Sequence, residues 1–384
     1  MTRSISILGA TGSIGDSTLD LIRGERGKWR VVALTANCAA KKLAELAREF
    51  GAEVAVVGDE SSLEELREYL SGTGIEAAGG AQALCEAASR PADITVAAIV
   101  GCAGLAPTMA AIEQGNTVAL ANKEALVSAG EVMTAKVAQH GTTLLPVDSE
   151  HNAIFQCLQG NAVEDVRWIT LTASGGPLRT KSYAELDATT PAQAVAHPNW
   201  DMGAKISVDS ATMMNKGLEF IEAHHLFPVG LDRLRIVVHP QSVIHSMVEY
   251  RDGSTLAQLG PSDMRVPIAS ALAHPARMDT NCKPLDLTEI GELSFFAPDE
   301  ERFPATRLAR EAAHAGGAAP AVLNAANEVA VAAFLAGQVK FTQISAITAR
   351  TLDNYAPDAP QTLDAVLAVD AEARTRAMHM LEPA

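Results

Sequence analysis

The chain has 384 residues, of which 48% are hydrophobic, 20% charged and 4% aromatic. This length and composition are typical of a folded protein with two or three domains and exclude a disordered chain. Forty-six acidic and thirty basic residues give a formal net charge of −16, which argues against a general nucleic-acid binder or a protein of acidic membrane surfaces. A small phosphorylated ligand stays possible, because it needs only a local pocket.

The cysteines and the start of the chain favour a reducing compartment. The cysteines are odd in number, far apart and without a CxxC pair, so we expect neither a disulfide framework nor a thiolate zinc site; they are Cys38, Cys85, Cys102, Cys157 and Cys282. The N-terminus has no signal-peptide apolar region or cleavage site. The uncharged stretch 94–112 is broken by glycines and a proline, and a buried strand turning into a helix explains it better than a membrane span. We expect a cytoplasmic protein, or one of the plastid stroma if the chain is a processed mature form.

Residues 1–147 alternate apolar β-branched runs with amphipathic stretches. This alternation predicts an α/β fold with a doubly wound parallel sheet and right-handed crossovers. The predicted strands are Ser4–Leu8, Val31–Thr35, Val54–Val57, Ile94–Val100, Thr117–Leu120 and Thr143–Val147. Predicted helices between them include Lys41–Phe50, Leu63–Tyr69 and Ala125–Gln139.

The rest of the chain divides into three further segments. Residues 148–283 are rich in polar motifs and predict an α+β domain, with strands at Trp168–Thr172, Leu234–Val238 and Val243–Glu249. Residues 284–304 are interrupted by prolines and predict a linker. Residues 305–384 are rich in alanine and predict a C-terminal helical domain.

A glycine-rich turn follows the first predicted strand. Gly9, Gly12 and Gly15 form a GxxGxxG pattern, and Ser17–Ile22 then looks helical. Glycines permit the tight turn and the close approach of a pyrophosphate, which the helix N-terminus attracts. At this position in a βαβ unit the pattern favours a Rossmann-like dinucleotide site over a merely structural turn.

The end of the second predicted strand indicates which dinucleotide binds. An NAD site places an acid there for the ribose hydroxyls, but this chain has Ala36 and Asn37, followed by Lys41 and Lys42. The pattern therefore favours NADP, whose extra phosphate requires positive charge. The alternative is that both lysines are simply solvated helix residues.

Two acids follow the sixth predicted strand, at Asp148 and Glu150. If the backbone stays extended there, both side chains point the same way, and their oxygens suit Mg²⁺ or Mn²⁺. The alternative is that both acids only accompany the positive N-terminus of a helix over Asn152–Leu158.

A third candidate ligand lies downstream. A helix from about Ser210 brings Asn215 and Glu219 onto one face, with Lys216 three residues from Glu219. An amide, a cation and an acid together fit a phosphate and metal pocket. The alternative is an ion pair on the surface.

Two loops complete the candidate site. The segment Thr172–Pro177 offers free N–H groups and a hydroxyl, and predicts either an anion nest or a glycine turn. The segment His197–Gly203 places Trp200 on a loop bounded by proline and glycine and predicts a mobile lid. An isolated histidine such as His197 or His245 is more often structural than catalytic.

Taken together, these motifs resemble the 1-deoxy-D-xylulose 5-phosphate reductoisomerase family of the non-mevalonate isoprenoid pathway. They occur in order over nearly the whole chain: ILGATGSIG from Ile7, LANKEALV from Leu120, LLPVDSEHNAIFQ from Leu144, ASGGP from Ala173, HPNWDMGAKISVDSATMMNKGLEFIEA from His197, HPQSVIHSM from His239 and LNAANEVAVAAFL from Leu323.

The resemblance implies an NADPH-dependent and divalent-metal-dependent homodimeric enzyme. Its substrate would be a small phosphorylated sugar, 1-deoxy-D-xylulose 5-phosphate, which is rearranged to a branched aldehyde and reduced to 2-C-methyl-D-erythritol 4-phosphate. The metal would be Mg²⁺, Mn²⁺ or Co²⁺. Neither a nucleic acid nor a membrane is an expected partner.

The resemblance also implies roles for individual residues. The metal ligands are Asp148, Glu150 and Glu219. The catalytic residues are these three with Lys123 and His197. The substrate-binding residues are Ser149, Glu150, Ser174, His197, Trp200, Ser210, Asn215, Lys216 and Glu219. The cofactor-binding residues are Thr11, Gly12, Ser13, Ile14, Ala36, Asn37, Asn122, Lys123, Glu124, Gly203 and Met264.

The chain departs from the family at one place. Some relatives carry a Gly-Lys-Asn type loop after the second strand, whereas this chain has Asn37-Cys38-Ala39. Which residue contacts the 2′-phosphate is therefore open, and Lys41 or Lys42 could replace the missing lysine.

Two other functions are weighed against this one. Another NADP-dependent aldehyde or semialdehyde oxidoreductase would retain activity when metal is chelated. A non-catalytic nucleotide-sensing protein would bind cofactor without turnover, and its cluster of acids would have no purpose.

Overall fold

The computed structural model describes residues 2–200 and 202–381 and divides into two compact units. Unit 1 comprises Met1–Ala125, Met133–Asn152 and Met264–Cys282, and unit 2 comprises Leu126–Val132, Ala153–Asp263 and Lys283–Ala384. These units differ from the domains predicted from the sequence, because residues 264–282 belong to the unit of the first sheet and residues 305–381 to the unit of the second. The sequence-based domain boundaries stay a prediction.

Unit 1 is built on a seven-stranded parallel sheet. Its strands are β1 (Arg3–Leu8), β2 (Trp29–Ala36), β3 (Val54–Val57), β4 (Glu76–Gly79), β5 (Ile94–Ala97), β6 (Thr117–Leu120) and β7 (Thr143–Pro146). Their order is β4-β3-β2-β1-β5-β6-β7. The chain therefore winds outward from β1 in one direction and then from β5 in the other, which confirms the doubly wound parallel sheet and the α/β fold class.

Within the described residues, the following α-helices accompany this sheet in whole or in part. They are α1 (Ser13–Gly24), α2 (Ala40–Phe50), α3 (Leu63–Leu70), α4 (Ala81–Ala88), α5 (Leu105–Ile112), α6 (Lys123–His140), α7 (Ser149–Leu158) and α12 (Arg265–Ala273). Strands β1, β3 and β5 are buried on both faces along nearly their whole length, as β-branched runs in a parallel sheet should be. Helix α6 is interrupted at Ala129, whose φ of −125° and ψ of 25° are not helical.

Unit 2 contains a four-stranded mixed sheet. Its strands are β8 (Val166–Ala173), β9 (Leu234–Val238), β10 (Ile244–Tyr250) and β11 (Thr255–Leu259), in the order β11-β10-β8-β9. Strands β8 and β9 are parallel, and the other two pairs are antiparallel. A core that includes Ile169, Val248, Leu218 and Phe220 lies against this sheet.

The helices of unit 2 lie in the segment of polar motifs and in the C-terminal region. They are α8 (Tyr183–Asp187), α9 (Pro191–Ala194), α10 (Ala204–Thr212), α11 (Met214–Leu226), α13 (Leu287–Ile290), α14 (Ala305–Ala315), α15 (Ala319–Leu335), α16 (Phe341–Asn354) and α17 (Leu363–His379). The single helix expected from about Ser210 is wrong. Two helices meet at Met213, whose positive φ of 67° interrupts the helical path.

The expected linker 284–304 is partly structured. It contains α13, and Phe296 forms a two-hydrogen-bond bridge with Val238 at the end of β9, with both N···O distances 2.9 Å. This pairing satisfies backbone groups at the edge of the sheet. No helix in the described part of the chain is long and apolar enough to cross a membrane.

Candidate functional site

The turn between β1 and α1 is fixed against the end of β2. The Gly9 N–H donates to Thr35 Oγ1 at 2.9 Å, and the Ala10 N–H donates to the Thr35 carbonyl at 2.7 Å. Gly12 is the N-cap of α1 and has no side chain with which to cap the helix. The first N–H groups of α1 therefore have no side-chain cap, and the positive end of the helix dipole favours an anion there.

The three glycines of this turn are not equivalent. A Cβ at Gly9, where φ is +90°, would lie 2.7 Å from the Ala98 carbonyl oxygen, and one at Gly15 would lie 2.5 Å from the Ala10 backbone. A Cβ at Gly12 would meet only the Gly9 carbonyl oxygen, at an ordinary 3.5 Å. The first and third glycines are therefore required by the packing of the chain, whereas Gly12 leaves room for a ligand.

The two lysines after β2 differ in their contacts. Lys42 Nζ donates to the Thr11 carbonyl at 3.1 Å and pairs with Asp16 at 2.7 Å. Lys41 and Asn37 are exposed. Lys42 therefore binds the glycine-rich turn itself, although its side chain is 45% exposed. This leaves Lys41 as the candidate contact to a 2′-phosphate.

Asn122 fixes the start of α6. Its Oδ1 accepts from the Ala125 N–H at 3.0 Å, and its Nδ2 donates to the Ile99 carbonyl at 2.5 Å and the Gly101 carbonyl at 2.9 Å. The amide thus caps the helix and holds the loop after β5. It positions the first helical residue, Lys123.

Asp148 caps α7 and pairs with Lys123. Lys123 Nζ lies 2.6 Å from Asp148 Oδ2, and both side chains are largely buried. The Glu150 N–H donates to Asp148 Oδ1 at 3.2 Å, and the Asn152 N–H donates to the Asp148 carbonyl at 2.9 Å. The condition of an extended backbone at 148–150 is therefore not met. The helix begins at Ser149, three residues earlier than expected, because the Asp148 side chain caps it.

Further polar groups surround Asp148 at the carboxyl end of β7. Ser149 Oγ donates to Glu150 Oε2 at 2.6 Å, and the buried His151 Nδ1 lies 3.7 Å from Asp148 Oδ1. This edge of a parallel sheet is where ligands bind in doubly wound folds. The two carboxylates are the oxygen donors that Mg²⁺ and Mn²⁺ prefer.

In unit 2, a buried carboxylate on α11 has two neighbours on the same helix face. Asn215 Nδ2 donates to Glu219 Oε1 at 2.5 Å, and Lys216 Nζ pairs with Glu219 Oε2. Glu219 is only 1% exposed, so the alternative of a surface ion pair is wrong. Burying an ion pair costs desolvation energy that the attraction between the two charges often does not recover, so the pair is weak evidence for a role in stability. Such a buried group of charges is therefore a candidate for function.

His197 and Ser174 form a second polar group in unit 2. His197 Nε2 lies 2.9 Å from Ser174 Oγ, and the Gly176 N–H donates to the same oxygen at 3.1 Å. His197 Nδ1 accepts from the N–H groups of Asn199 at 3.2 Å and Trp200 at 3.0 Å. Nδ1 therefore carries no proton, and the neutral ring donates from Nε2 to Ser174. Burial lowers the pKa of His197, which favours this neutral form.

The loop after His197 contacts the segment between β9 and β10. Asn199 Nδ2 donates to the Pro240 carbonyl at 2.7 Å, and the Trp200 ring lies 6.1 Å from the ring of His245. His245 Nε2 is 3.2 Å from the Gly260 carbonyl, a structural contact. Asp201, inside the expected lid, lies outside the described residues.

The remaining sequence-predicted residues occupy the ends of elements. Thr11, Ser13 and Ile14 lie in and just after the glycine-rich turn, Ala36 ends β2, and Glu124 is buried in the first turn of α6. Gly203 is the N-cap of α10 and Met264 the N-cap of α12, while Ser210 lies within α10.

Sequence reasoning missed two backbone features of this region. Met213, which is buried, has the strained left-handed conformation between α10 and α11. Gly176 has φ of +70°, and a Cβ there would lie 2.6 Å from the Ser210 carbonyl oxygen. The paired glycines of the ASGGP motif are a signal for the second feature, whereas methionine gives no signal for the first.

Comparison with known proteins assigns the family. A model described as 1-deoxy-D-xylulose 5-phosphate reductoisomerase matches residues 5–130, and models described as C-terminal domains of the same enzyme match 144–227 and 259–376. A curated 1-deoxy-D-xylulose 5-phosphate reductoisomerase from Zymomonas mobilis is 58% identical over 380 residues, which is 99% of this chain and 98% of the relative. The chain belongs to this reductoisomerase family. The resemblance deduced from the motifs is thereby confirmed.

Other family members agree along their whole length. The reductoisomerase from Ralstonia nicotianae is 56% identical, covering 98% of both chains. A solved reductoisomerase from Zymomonas mobilis in complex with NADPH aligns over 100% of both chains, with 56% identity and a TM-score of 0.95. A solved DOX-P reductoisomerase in complex with NADPH, fosmidomycin and magnesium has 44% identity and a TM-score of 0.95, covering 99% of this chain and 98% of that one.

Proposed function

We propose that the chain catalyses the rearrangement and reduction of 1-deoxy-D-xylulose 5-phosphate to 2-C-methyl-D-erythritol 4-phosphate, using NADPH and a divalent metal. One observation carries the proposal: a family member solved with NADPH, fosmidomycin and magnesium aligns over 99% of this chain at a TM-score of 0.95. The arrangement of polar groups in each unit is compatible with that chemistry.

The glycine-rich turn of unit 1 would hold the NADPH pyrophosphate. Thr11, Gly12, Ser13 and Ile14 would surround it, because the uncapped N-terminus of α1 supplies N–H groups there. Bound NADPH supplies the hydride. Asparagine at position 37 in place of an acid is compatible with a 2′-phosphate at the end of β2. The other cofactor contacts, Ala36, Asn122, Lys123, Glu124, Gly203 and Met264, rest on the family resemblance.

Asp148, Glu150 and Glu219 would hold the metal. Their donors are all carboxylate oxygens, the ligand type of Mg²⁺, Mn²⁺ and similar hard cations. A bound metal supplies a Lewis acid and a template for the oxygens of the substrate. Lys123 offsets the negative charge of Asp148, and Ser149 orients Glu150 through a 2.6 Å hydrogen bond.

Ser174, Ser210, Asn215 and Lys216 would bind the phosphate and hydroxyl groups of the substrate. Ser174 Oγ accepts two hydrogen bonds, from His197 and from the Gly176 N–H, so its own proton is directed to a ligand. His197 would orient the substrate, and Trp200 would cover it once the 197–203 loop closes and excludes water. A homodimer and a cytoplasmic location also stay predictions; sedimentation velocity tests the first.

An NADPH-consumption assay with 1-deoxy-D-xylulose 5-phosphate, with and without Mg²⁺, tests the function. We expect turnover with the metal and none after chelation. Residual activity after chelation would favour a metal-independent aldehyde oxidoreductase, and cofactor binding without turnover under any condition would favour a sensor.

The carboxylates provide the sharper prediction. Asp148→Asn, Glu150→Gln and Glu219→Gln each remove an anionic oxygen with little change in shape, so each should lower kcat by roughly 100-fold or more. NADPH affinity should stay nearly constant. Glu65→Gln, an exposed acid on α3, is the control. Near-full activity of Glu219→Gln at limiting Mg²⁺ would eliminate the three-carboxylate site.

A further inference from the structure

Asp209 is a buried acid that the proposed function does not use. It lies on α10 beside Ser210 and is 1% exposed. Lys205 Nζ, one helical turn away, lies 2.8 Å from its Oδ2, and Asn327 Nδ2 donates to its Oδ1 at 2.8 Å. A buried carboxylate is tolerated only when such partners replace water. We call Lys205, Asp209 and Asn327 the Asp209 network.

Asn327 comes from α15 and from the LNAANE motif, which otherwise has no role in the site. Its side chain is fully buried, and its Oδ1 has no hydrogen-bond partner within the described residues. Because Asn327 Nδ2 faces the Asp209 carboxylate, Asn327 Oδ1 points away from it. The unsatisfied oxygen is therefore a consequence of the hydrogen bond to Asp209. An unsatisfied buried carbonyl is costly. The bond to Asp209 is therefore the contact that explains an amide at this position.

The position of α10 is transmitted to the Ser174 turn. The backbone of Gly176 packs so closely on α10 that a Cβ there would lie 2.6 Å from the Ser210 carbonyl oxygen. The Gly176 N–H in turn donates to Ser174 Oγ, and His197 contacts the same oxygen. A displacement of α10 would therefore move Ser210 and the Ser174 turn together.

We propose that Asp209 and Asn327 are positioning residues for the substrate-phosphate pocket, through which α15 holds α10 in place. The proposal rests on the proposed function, since Ser174 and Ser210 are phosphate ligands only in that reading. It assigns the LNAANE motif of the C-terminal helices a role in substrate binding. Both residues are buried and would act on the substrate only through α10.

The chain provides a matched control on the same helix. Asn324 lies one turn earlier on α15, is equally buried and also has an unpartnered Oδ1 among the described residues. Its Nδ2 contacts Ser128 Oγ at 3.4 Å and Glu328 Oε1 at 3.1 Å, and not Asp209. Asn324→Ala and Asn327→Ala thus remove the same atoms from the same helix, and only the second disturbs the Asp209 network.

The test compares both variants in the full-length chain. For each we would measure KM for 1-deoxy-D-xylulose 5-phosphate, the inhibition constant of inorganic phosphate, the Kd of NADPH and the melting temperature. We expect similar losses of melting temperature, but a rise of about 10- to 100-fold in KM and in the phosphate inhibition constant for Asn327→Ala alone. The Kd of NADPH should not change in either variant.

Equal effects of the two variants on KM and on phosphate inhibition would overturn the proposal. If Asn327→Ala does not fold, the near-isosteric Asp209→Asn replaces it, and the exchange Asp209→Asn with Asn327→Asp should restore much of the phosphate affinity that Asp209→Asn loses. A failure of the exchange to restore any affinity would also overturn it. A wild-type chain without turnover would instead overturn the proposed function, so the two failures are distinguishable.

Discussion

His197 shows how one side chain sets the geometry around it. Its Nδ1 accepts two backbone N–H groups, so the ring organises the turn that carries Trp200, while Nε2 donates to Ser174. Protonation of Nδ1 would remove both acceptor contacts at once. Because burial lowers the pKa of His197, this protonation is deferred to a pH below 6.5, the ordinary value for histidine.

The first residue-scale prediction follows from that tautomer. Nitrogen NMR of the ring should show a neutral Nε2–H form at pH 7 that titrates below pH 6.5. Trp200 fluorescence, taken as the difference between the wild type and Trp200→Phe, should change at the same pH. The reason is that the backbone N–H of Trp200 loses His197 Nδ1 as its acceptor. His197→Gln should abolish that step. An Nδ1–H tautomer, or a titration above pH 6.5, would contradict the assignment.

The two lysines on α2 provide a second prediction at this scale. Lys41→Ala should lower the preference for NADPH over NADH by about tenfold, since a hydrogen bond to a charged group contributes about 1.5 kcal/mol. Lys42→Ala should weaken the binding of NADPH and of NADH equally, by less than about fivefold. The exposed ion pair between Lys42 and Asp16 only supports the turn. Dissociation constants for both cofactors test this. An unchanged preference in Lys41→Ala would remove Lys41 as the 2′-phosphate contact.

In the turn between β1 and α1, different glycines serve packing and cofactor binding. Gly15→Ala should destabilise the fold by about 1–3 kcal/mol, because its Cβ would overlap the Ala10 backbone. Gly12→Ala should leave the free energy of unfolding within about 0.5 kcal/mol of the wild type. It should nevertheless weaken NADPH binding at least about tenfold, since the added methyl group would face the pyrophosphate in the proposed site.

Gly24→Ala is the control for that pair of variants. It lies at the end of α1, and a Cβ there meets nothing within 4 Å. Stability and NADPH binding should both be retained, since alanine favours the helix. If Gly12→Ala bound NADPH as tightly as Gly24→Ala, the glycine-rich turn would not be the pyrophosphate site.

The sequence predicted the elements whose patterns are strong and missed those whose patterns are weak. The central strands of unit 1 were found because β-branched runs mark buried parallel strands. Strand β4, Glu76–Gly79, lies at the sheet edge and has no β-branched residue, so no pattern revealed it. Strand β11, at the edge of the other sheet, is largely exposed and was also missed.

Spacing along the chain predicted some contacts of the candidate site but not its geometry. Spacing alone placed Asn215, Lys216 and Glu219 on one helix face, as found. Spacing could not show that the helix stops at Met213, because a left-handed methionine is fixed by tertiary packing and not by its own preference. Nor could it pair Asp209 with Asn327, which are 118 positions apart. Such contacts depend on how the helices pack.

At the scale of the whole molecule, the response to acid divides into two ranges of pH. Several carboxyl groups, including Asp93 and Glu185, have pKa values lowered by hydrogen bonds, chiefly from backbone N–H groups. Their contribution to stability is present above the unfolded pKa of about 4 and is lost below it. The histidines affect stability at higher pH. Burial lowers the pKa of His197, His224 and His225 from 6.5, so the unfolded chain begins to bind protons at these positions near pH 6.5, before the folded chain does.

His225 should dominate the upper range. Burial, followed by repulsion from His224, lowers its pKa to about 4, and its ring packs against Gly130 so closely that any Cβ there would overlap it. As the pH falls, His225 binds a proton in the unfolded chain before it does in the folded chain. Stability is therefore unaffected by the titration of this residue above pH 6.5 and decreases as the pH falls from 6.5 to 4. The loss amounts to at most about 3–4 kcal/mol. His225→Gln, which does not titrate, should therefore flatten the free energy of unfolding between pH 6.5 and 4, as measured by urea denaturation, and leave the steeper fall below pH 4 in place. His379→Gln, an exposed position on α17, is the control and should follow the wild type. A wild-type slope in His225→Gln between pH 6.5 and 4 would show that the buried ring is not what weakens the protein in mild acid.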